Sequence, residues 1–205
     1  MPGRFLLETP LSDVAAALDL GNPLAPEIPR RNIAPGQEIV LAGPDRVLAR
    51  ARWGLIPVGR TNARGRPVME TIVNARSETV FAKSAFAGVG RAIVPADGWY
   101  EWTGPPRKKT AWRITREDGA LLVFAAITDT WQGPGGIAVP QVATVTCEPS
   151  DDVRDIHHRM GVILAPESID TWLSGAVGAA HALCAPTPRG TLRVEKAQDV
   201  DWDAA

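Results

Sequence analysis

The run Ala92-Ile93-Val94-Pro95-Ala96-Asp97-Gly98-Trp99-Tyr100-Glu101-Trp102 passes from an apolar segment, through Asp-Gly, into aromatic residues that enclose one carboxylate. Read as a strand, its alternation puts Trp99 and Glu101 on one face and Tyr100 and Trp102 on the other. Carboxylates between Trp and Tyr are uncommon on a solvated surface. Removing water from around one raises its pKa and suits it to proton transfer near neutral pH. Two readings of Glu101 stand at this point: a catalytic acid–base, or a rim carboxylate paired with an arginine, since structural ion pairs mimic active sites.

Outward from this run, strands are predicted at 38–41, 47–53, 111–115, 121–127 and 139–147, with 92–95 as another. Val142-Ala143-Thr144-Val145-Thr146 has the β-branched content of a buried strand. Thr9 to Leu18 reads as a short helix that Thr9 caps, Pro10 opens and Gly21 stops. Further short helices are predicted at 78–86 and 167–173, and Arg31 to Gly36 reads as a turn. Pro and Gly breaks recur, and no repeat or long linker divides the chain. The expectation is a strand-rich α+β domain over 1–198, with residues 199–205 an acidic, frayed tail.

At 205 residues the chain has room for one sizeable core, and 45% hydrophobic with 22% charged residues is ordinary for a globular protein. No apolar run approaches the roughly 20 residues a membrane helix needs, and Met1 to Phe5 lacks a secretory pattern. Cys147 and Cys184 are isolated, which fits reduced thiols and a cytoplasmic protein. Three histidines without metal-ligand spacing lead us to expect no metal and no cofactor. Residues 1–116 carry 14 Arg and 3 Lys against 10 acidic groups, a net +7, whereas 117–205 carry a net −8. Eight arginines fall between 30 and 66. Guanidinium forks suit phosphate oxygens; the competing reading is compositional bias, since Arg outnumbers Lys 18 to 4.

Four polar clusters lie far apart in sequence: Pro2-Gly3-Arg4-Phe5, Asn74-Ala75-Arg76-Ser77-Glu78, the Glu101 segment, and Asp155-Ile156-His157-His158-Arg159-Met160. With Arg31-Asn32-Ile33-Ala34-Pro35-Gly36 and Arg52-Trp53-Gly54-Leu55-Ile56-Pro57, they resemble in order the motifs of the SOS response-associated peptidase family, whose members process abasic sites in single-stranded DNA. The resemblance implies a single α+β domain on a curved, barrel-like, mostly antiparallel sheet with short helices, and a basic groove for single-stranded DNA. Family members capture the abasic sugar aldehyde through an N-terminal Cys as a thiazolidine. By motif position, Asn74 resembles the Asn that orients the N-terminal residue, Glu101 the acid–base carboxylate, and His157 the His that assists ring opening. Arg4, Arg76 and Arg159 match phosphate-binding positions. Asn32, Pro35 and Trp53 fall in groove segments, Trp53 as a base-stacking residue.

Here Pro2 stands where the family has its Cys, so no thiazolidine can close. If Met1 is removed, Pro2 offers a secondary amine, and an α-amino pKa of about 8 leaves part of it unprotonated at neutral pH. Such an amine can form an iminium with an aldehyde, after which Glu101 or His157 can remove the C2′ proton and expel the 3′ phosphate. The alternatives are a catalytically impaired DNA-binding protein and, below it, a peptidase as the family name implies. Trp99 and Trp102 are further stacking candidates. Trp112, Trp131 and Trp172 are expected in the core, and Cys147 is a remote candidate nucleophile. The expected partner is single-stranded DNA with abasic sites, and the expected state is a monomer.

Overall fold

The computed structural model describes residues 2–57, 70–198 and 200–202. Among them twelve strands run in chain order: β1 (Arg4–Leu7), β2 (Arg30–Ile33), β3 (Glu38–Ala42), β4 (Leu48–Trp53), β5 (Asn74–Arg76), β6 (Gly90–Ala96), β7 (Gly98–Thr103), β8 (Thr110–Arg116), β9 (Leu122–Gln132), β10 (Ala138–Cys147), β11 (Met160–Gly161) and β12 (Leu192–Lys196). The helices are α1 (Leu11–Leu18), α2 (Ser77–Val80), α3 (Ile169–Ser174) and α4 (Val177–Ala182). Arg60, Arg64 and Arg66 of the expected basic run lie outside the described residues.

Five of these strands close into a mixed barrel, in the order β10, β4, β3, β6, β9 and back to β10. The β10–β4 pair is parallel; the other four are antiparallel. Closure leaves its strands without open edges and makes their inner positions a continuous core. That core explains the near-unbroken burial from Gln141 to Cys147. β10 outruns its barrel partners, and β5 and β11 flank its final residues. The remaining strands form an antiparallel sheet in the order β12, β8, β7, β1, β2.

The two sheets meet through aromatic side chains. Phe5 of β1 lies 4.5 Å from Trp53 of β4 and 5.0 Å from Phe124 of β9, and Trp99 of β7 meets Phe124 edge-on at 5.6 Å. Arg4 pairs with Tyr100, Phe5 with Trp99 and Leu6 with Gly98. Gly98 is required there, because a Cβ would fall 2.5 Å from the Ile114 carbonyl and 2.9 Å from the Leu6 side chain. α1 packs Leu11, Val14, Ala15 and Leu18 inward, the spacing of one helical face.

Several expectations change. Thr9 does not cap α1: its backbone N–H and hydroxyl donate to Asp97 at 2.9 and 2.6 Å, tying the end of β1 to the β6–β7 junction. The helix stops at Asp19 in the left-handed region (φ 51°), before Gly21. Residues 31–33, expected in a turn, belong to β2, and β5, β11 and β12 pair where the sequence pattern is too short to signal a strand. The predicted helix at 78–86 is α2 followed by a 3-10 turn at Ser84–Phe86. Trp172 is core as expected, donating to the Ala92 carbonyl at 2.8 Å, whereas Trp112 and Trp131 are half-buried.

Trp53 is the main correction. It is 0% exposed, packed on Phe5, with its indole N–H on the Val73 carbonyl at 3.1 Å. It therefore cannot stack a base, and neither can the equally buried Trp99. Trp53→Leu should lower unfolding free energy by about 3 kcal/mol, from lost aromatic contact and a cavity. Urea denaturation measures this; unchanged stability with a selective loss of single-stranded DNA affinity would restore the stacking role.

Candidate active site

Extending the β1–β7 register one residue beyond Arg4–Tyr100 brings Gly3 across from Glu101. The chain start is thus delivered beside the carboxylate by strand pairing alone. Pro2 is buried, and its carbonyl accepts a hydrogen bond from Asn74 Nδ2 at 3.1 Å. Asn74 is oriented in turn by the Thr144 hydroxyl, which donates to its Oδ1. The parallel β5–β10 register sets Asn74 beside Thr144. On another side, β11 brings Gly161 against the Pro2 ring: a Cβ there would lie 3.2 Å from Pro2 Cγ and 2.5 Å from the Phe124 ring. Sequence reasoning missed Thr144 and Gly161. The glycine after Met160 was a visible signal, but Thr144 looks like any β-branched core residue.

Glu101 is 5% exposed, with the Trp99 indole N–H 3.3 Å from its Oε1. Burial raises its pKa to about 7, against smaller opposing effects from the chain's positive N-terminus and from Trp99. Burial also lowers His157 to about 4, assisted by the same N-terminal charge and by His158, which stacks on it at 4.4 Å. His157 Nδ1 lies 3.0 Å from the Arg159 backbone nitrogen and 3.1 Å from the Arg159 carbonyl oxygen, so the tautomer decides which of the two it bonds. Pro2, Asn74, Glu101 and His157 are thereby brought together from four separate segments, and the N-terminal charge acts on both titratable members.

The cationic residues divide. Arg76 is exposed and has no ion-pair partner among the described residues, and Arg4 donates to the Asn32 side chain at 2.6 Å. Pro35 is exposed in the turn that joins β2 to β3. Asn32 is buried and structural in part, donating to the Asp201 carbonyl at 2.9 Å. Arg159, expected on phosphate, is 9% exposed and grips both oxygens of Glu78 while donating to the Thr146 carbonyl at 2.6 Å. That contact holds the Glu78 carboxyl at about 2. Arg159 thus braces the loop carrying His157 instead of facing solvent. The basic run is similarly engaged: Arg31 pairs with Glu8, Arg46 with Asp170 and Arg50 with Glu27. Cys147 is 2% exposed with its thiol pushed up to about 12 by burial, which removes it as a nucleophile. Of the tail expected to fray, Trp202 packs edge-on to Tyr100 and Trp102, at 5.0 and 5.3 Å. Among the described residues no cluster of three or more His, Cys, Asp or Glu could hold a metal.

The two shifts act oppositely on stability. Between about 4.5 and 7 the folded protein keeps a proton on Glu101 that the unfolded chain has lost. Stability is therefore fully present below that window and falls as pH rises through it, by on the order of 3 kcal/mol. Between about 4 and 6.5 the unfolded chain instead binds a proton at His157 that the folded protein does not, so that contribution rises with pH. Glu101→Gln should remove the first effect alone. Denaturation midpoints of the variant should then gain on wild type as pH goes from 4.5 to 7, whereas parallel curves would contradict the buried carboxyl.

Comparison with known proteins identifies the family. The model of the SOS response associated peptidase (SRAP) family matches residues 1–200. The abasic site processing protein YoaM of Bacillus subtilis (strain 168) is 34% identical over 183 residues, 85% of this chain and 79% of that protein. The abasic site processing protein YedK of Escherichia coli (strain K12) is 32% identical over 89% of this chain and 83% of its own. Among solved structures, a protein from Bordetella bronchiseptica superposes with a TM-score of 0.80 at 25% identity, covering 96% of this chain and 99% of its own. On these matches and the shared fold, the chain belongs to the SOS response associated peptidase family.

Proposed function

We propose that this protein processes abasic sites in single-stranded DNA by capturing the ring-opened sugar aldehyde on the amine of Pro2 once Met1 has been removed. The observation that carries the reading is the convergence at the chain start. Asn74 holds the Pro2 carbonyl at 3.1 Å, Gly161 packs against the Pro2 ring, and the β1–β7 register sets Gly3 across from Glu101. Relatives named abasic site processing proteins support the substrate class.

The chemistry follows from the groups present. The unprotonated secondary amine of Pro2 attacks C1′ of the aldehyde, and the resulting carbinolamine loses water to give an iminium. The cation acidifies the C2′ proton. Glu101, about half ionised at neutral pH, is matched to remove it and to donate it elsewhere in the cycle. The C2′–H electron pair forms the C1′–C2′ enamine bond; its collapse expels the 3′ phosphate, and water then hydrolyses the remaining iminium to regenerate Pro2. His157, with its pKa lowered by burial, is neutral at this pH and is not a cationic proton source. Burial of Pro2, Glu101 and Trp99 keeps bulk water from quenching the iminium. Arg4 and Arg76 lie on accessible ground for phosphates, and Arg76 is the stronger candidate.

Protein whose N-terminus is verified by mass spectrometry to begin at Pro2 should form a borohydride-trapped adduct with abasic single-stranded DNA, and no heat-stable adduct without the reductant. Absence of trapping in such protein, with salt-sensitive DNA affinity retained, would make it a binding module instead. Glu101→Gln should slow strand scission by about 100-fold or more, as loss of a general base does, with DNA affinity nearly unchanged. Arg76→Ala should weaken binding uniformly and reduce the slope of log affinity against log salt by about 1. Filter binding across a salt series would reveal an unaltered slope if Arg76 touches no phosphate.

A further inference from the structure

On the face of β7 opposite Glu101, a cavity of about 460 Å³ opens between the second sheet and the C-terminal segment. That volume lies within the roughly 300–1,000 Å³ range of small-ligand sites. Tyr100 lines it and is 1% exposed, yet its hydroxyl makes no hydrogen bond with any described residue. The ring is buried while the hydroxyl faces the cavity, where a bound group could accept its O–H. The cavity walls carry Arg31, Arg113 and Lys196 together with Glu8 and Glu195. Two ion pairs engage the carboxylates, Arg31–Glu8 at 2.6 Å and Arg113–Glu195 at 3.1 Å, both partly exposed. Lys196 is exposed and has no ion-pair partner among the described residues. Arg113, Glu8 and Arg31 also act electrostatically on the Tyr100 phenol, whose pKa burial raises, so it remains a neutral donor.

An O–H donor that faces a cavity lined by three cations and two carboxylates suits an oxyanion. We propose that this cavity binds a phosphate group, with the Tyr100 hydroxyl donating to a phosphate oxygen and Lys196 and Arg113 supplying the charge. Phosphate alone underfills the space, which leaves room for a nucleotide unit around it. Tyr100 is the cross-strand partner of Arg4, so both side chains leave the sheet on one face. Val200, at the cavity rim, is followed by Asp201, whose carbonyl holds Asn32, which in turn holds Arg4. The phosphate's bearer is either the backbone of a bound DNA strand or a free nucleotide. Only the first rests on the proposed function.

The test titrates the intact chain with inorganic phosphate, deoxyadenosine monophosphate and an oligonucleotide lacking any abasic site, all at constant ionic strength. Calorimetry and amide chemical shifts provide the readout. Saturable binding is expected, weakened about tenfold by Tyr100→Phe, the size of one hydrogen bond to a charged group, and severalfold by Lys196→Met. If oligonucleotide affinity falls with phosphate affinity, the site belongs to a DNA strand. If only phosphate and mononucleotide binding fall, it serves a free nucleotide. Binding indifferent to both substitutions, or no saturable phosphate or nucleotide binding with oligonucleotide affinity untouched in Tyr100→Phe, overturns the proposal. Because the oligonucleotide carries no aldehyde, neither result depends on covalent capture by Pro2, which the borohydride experiment tests separately.

Discussion

The contact of Phe5 and Trp99 with Trp53 and Phe124 is the constraint from which the rest of the molecule follows. It presses the β1–β7 ribbon against the barrel, and side-chain alternation does the remainder. With Trp99 facing the core, Glu101 two residues on must face the same way, into a region poor in water. A carboxylate in that position cannot be solvated, and its pKa rises to about 7 as a direct consequence of the aromatic packing beside it. The same parity sends Tyr100 to the opposite face, where its phenol meets the cavity under the C-terminal segment. One strand thus supplies a buried carboxyl of raised pKa on one side and a phenol hydroxyl on the other.

β10 is the second organising element. It closes the barrel, outlasts β4 and β9, and presents its last residues to β5 and β11. Thr144 orients Asn74, and the Thr146 carbonyl receives Arg159. The pair of Arg159 with Glu78 braces the loop holding His157, whose Nδ1 meets the Arg159 backbone. The polar groups of the site therefore hang on a buried strand, which holds groups from distant segments in fixed relative positions.

Some residues were legible for a local reason and others were misread for want of a distant one. Glu101 declared itself because its neighbours in sequence are its neighbours in space, Trp99 among them. Asn74 and His157 were singled out by motif position alone, and the structure sets Asn74 on the Pro2 carbonyl and His157 on the Arg159 backbone. Trp53 looked like a groove residue because an aromatic ring beside a basic segment suits nucleic acid, and Arg159 because its motif position matches a phosphate-binding one. What absorbs them lies elsewhere in the chain, in Phe5 and the Val73 carbonyl for one and Glu78 for the other. The arginines at 31, 46 and 50 were misread similarly, since each meets a carboxylate that sequence distance conceals.

By itself, the amino-acid order determined the strand-rich α+β class, the main barrel strands, the inward parity of Trp99 with Glu101, and the absence of a thiol at position 2. Each depends on local periodicity or on residue identity, which survive without coordinates. Only the tertiary structure decided that the barrel closes, that β1 lies antiparallel to β7 so that the chain start reaches Glu101, and which cations remain available for phosphate. Strand register, burial and pairing are set by contacts between residues tens of positions apart. Desolvation and ion pairing, which give Glu101 and His157 their altered proton affinities and remove Arg159 from solvent, exist only once those contacts are made.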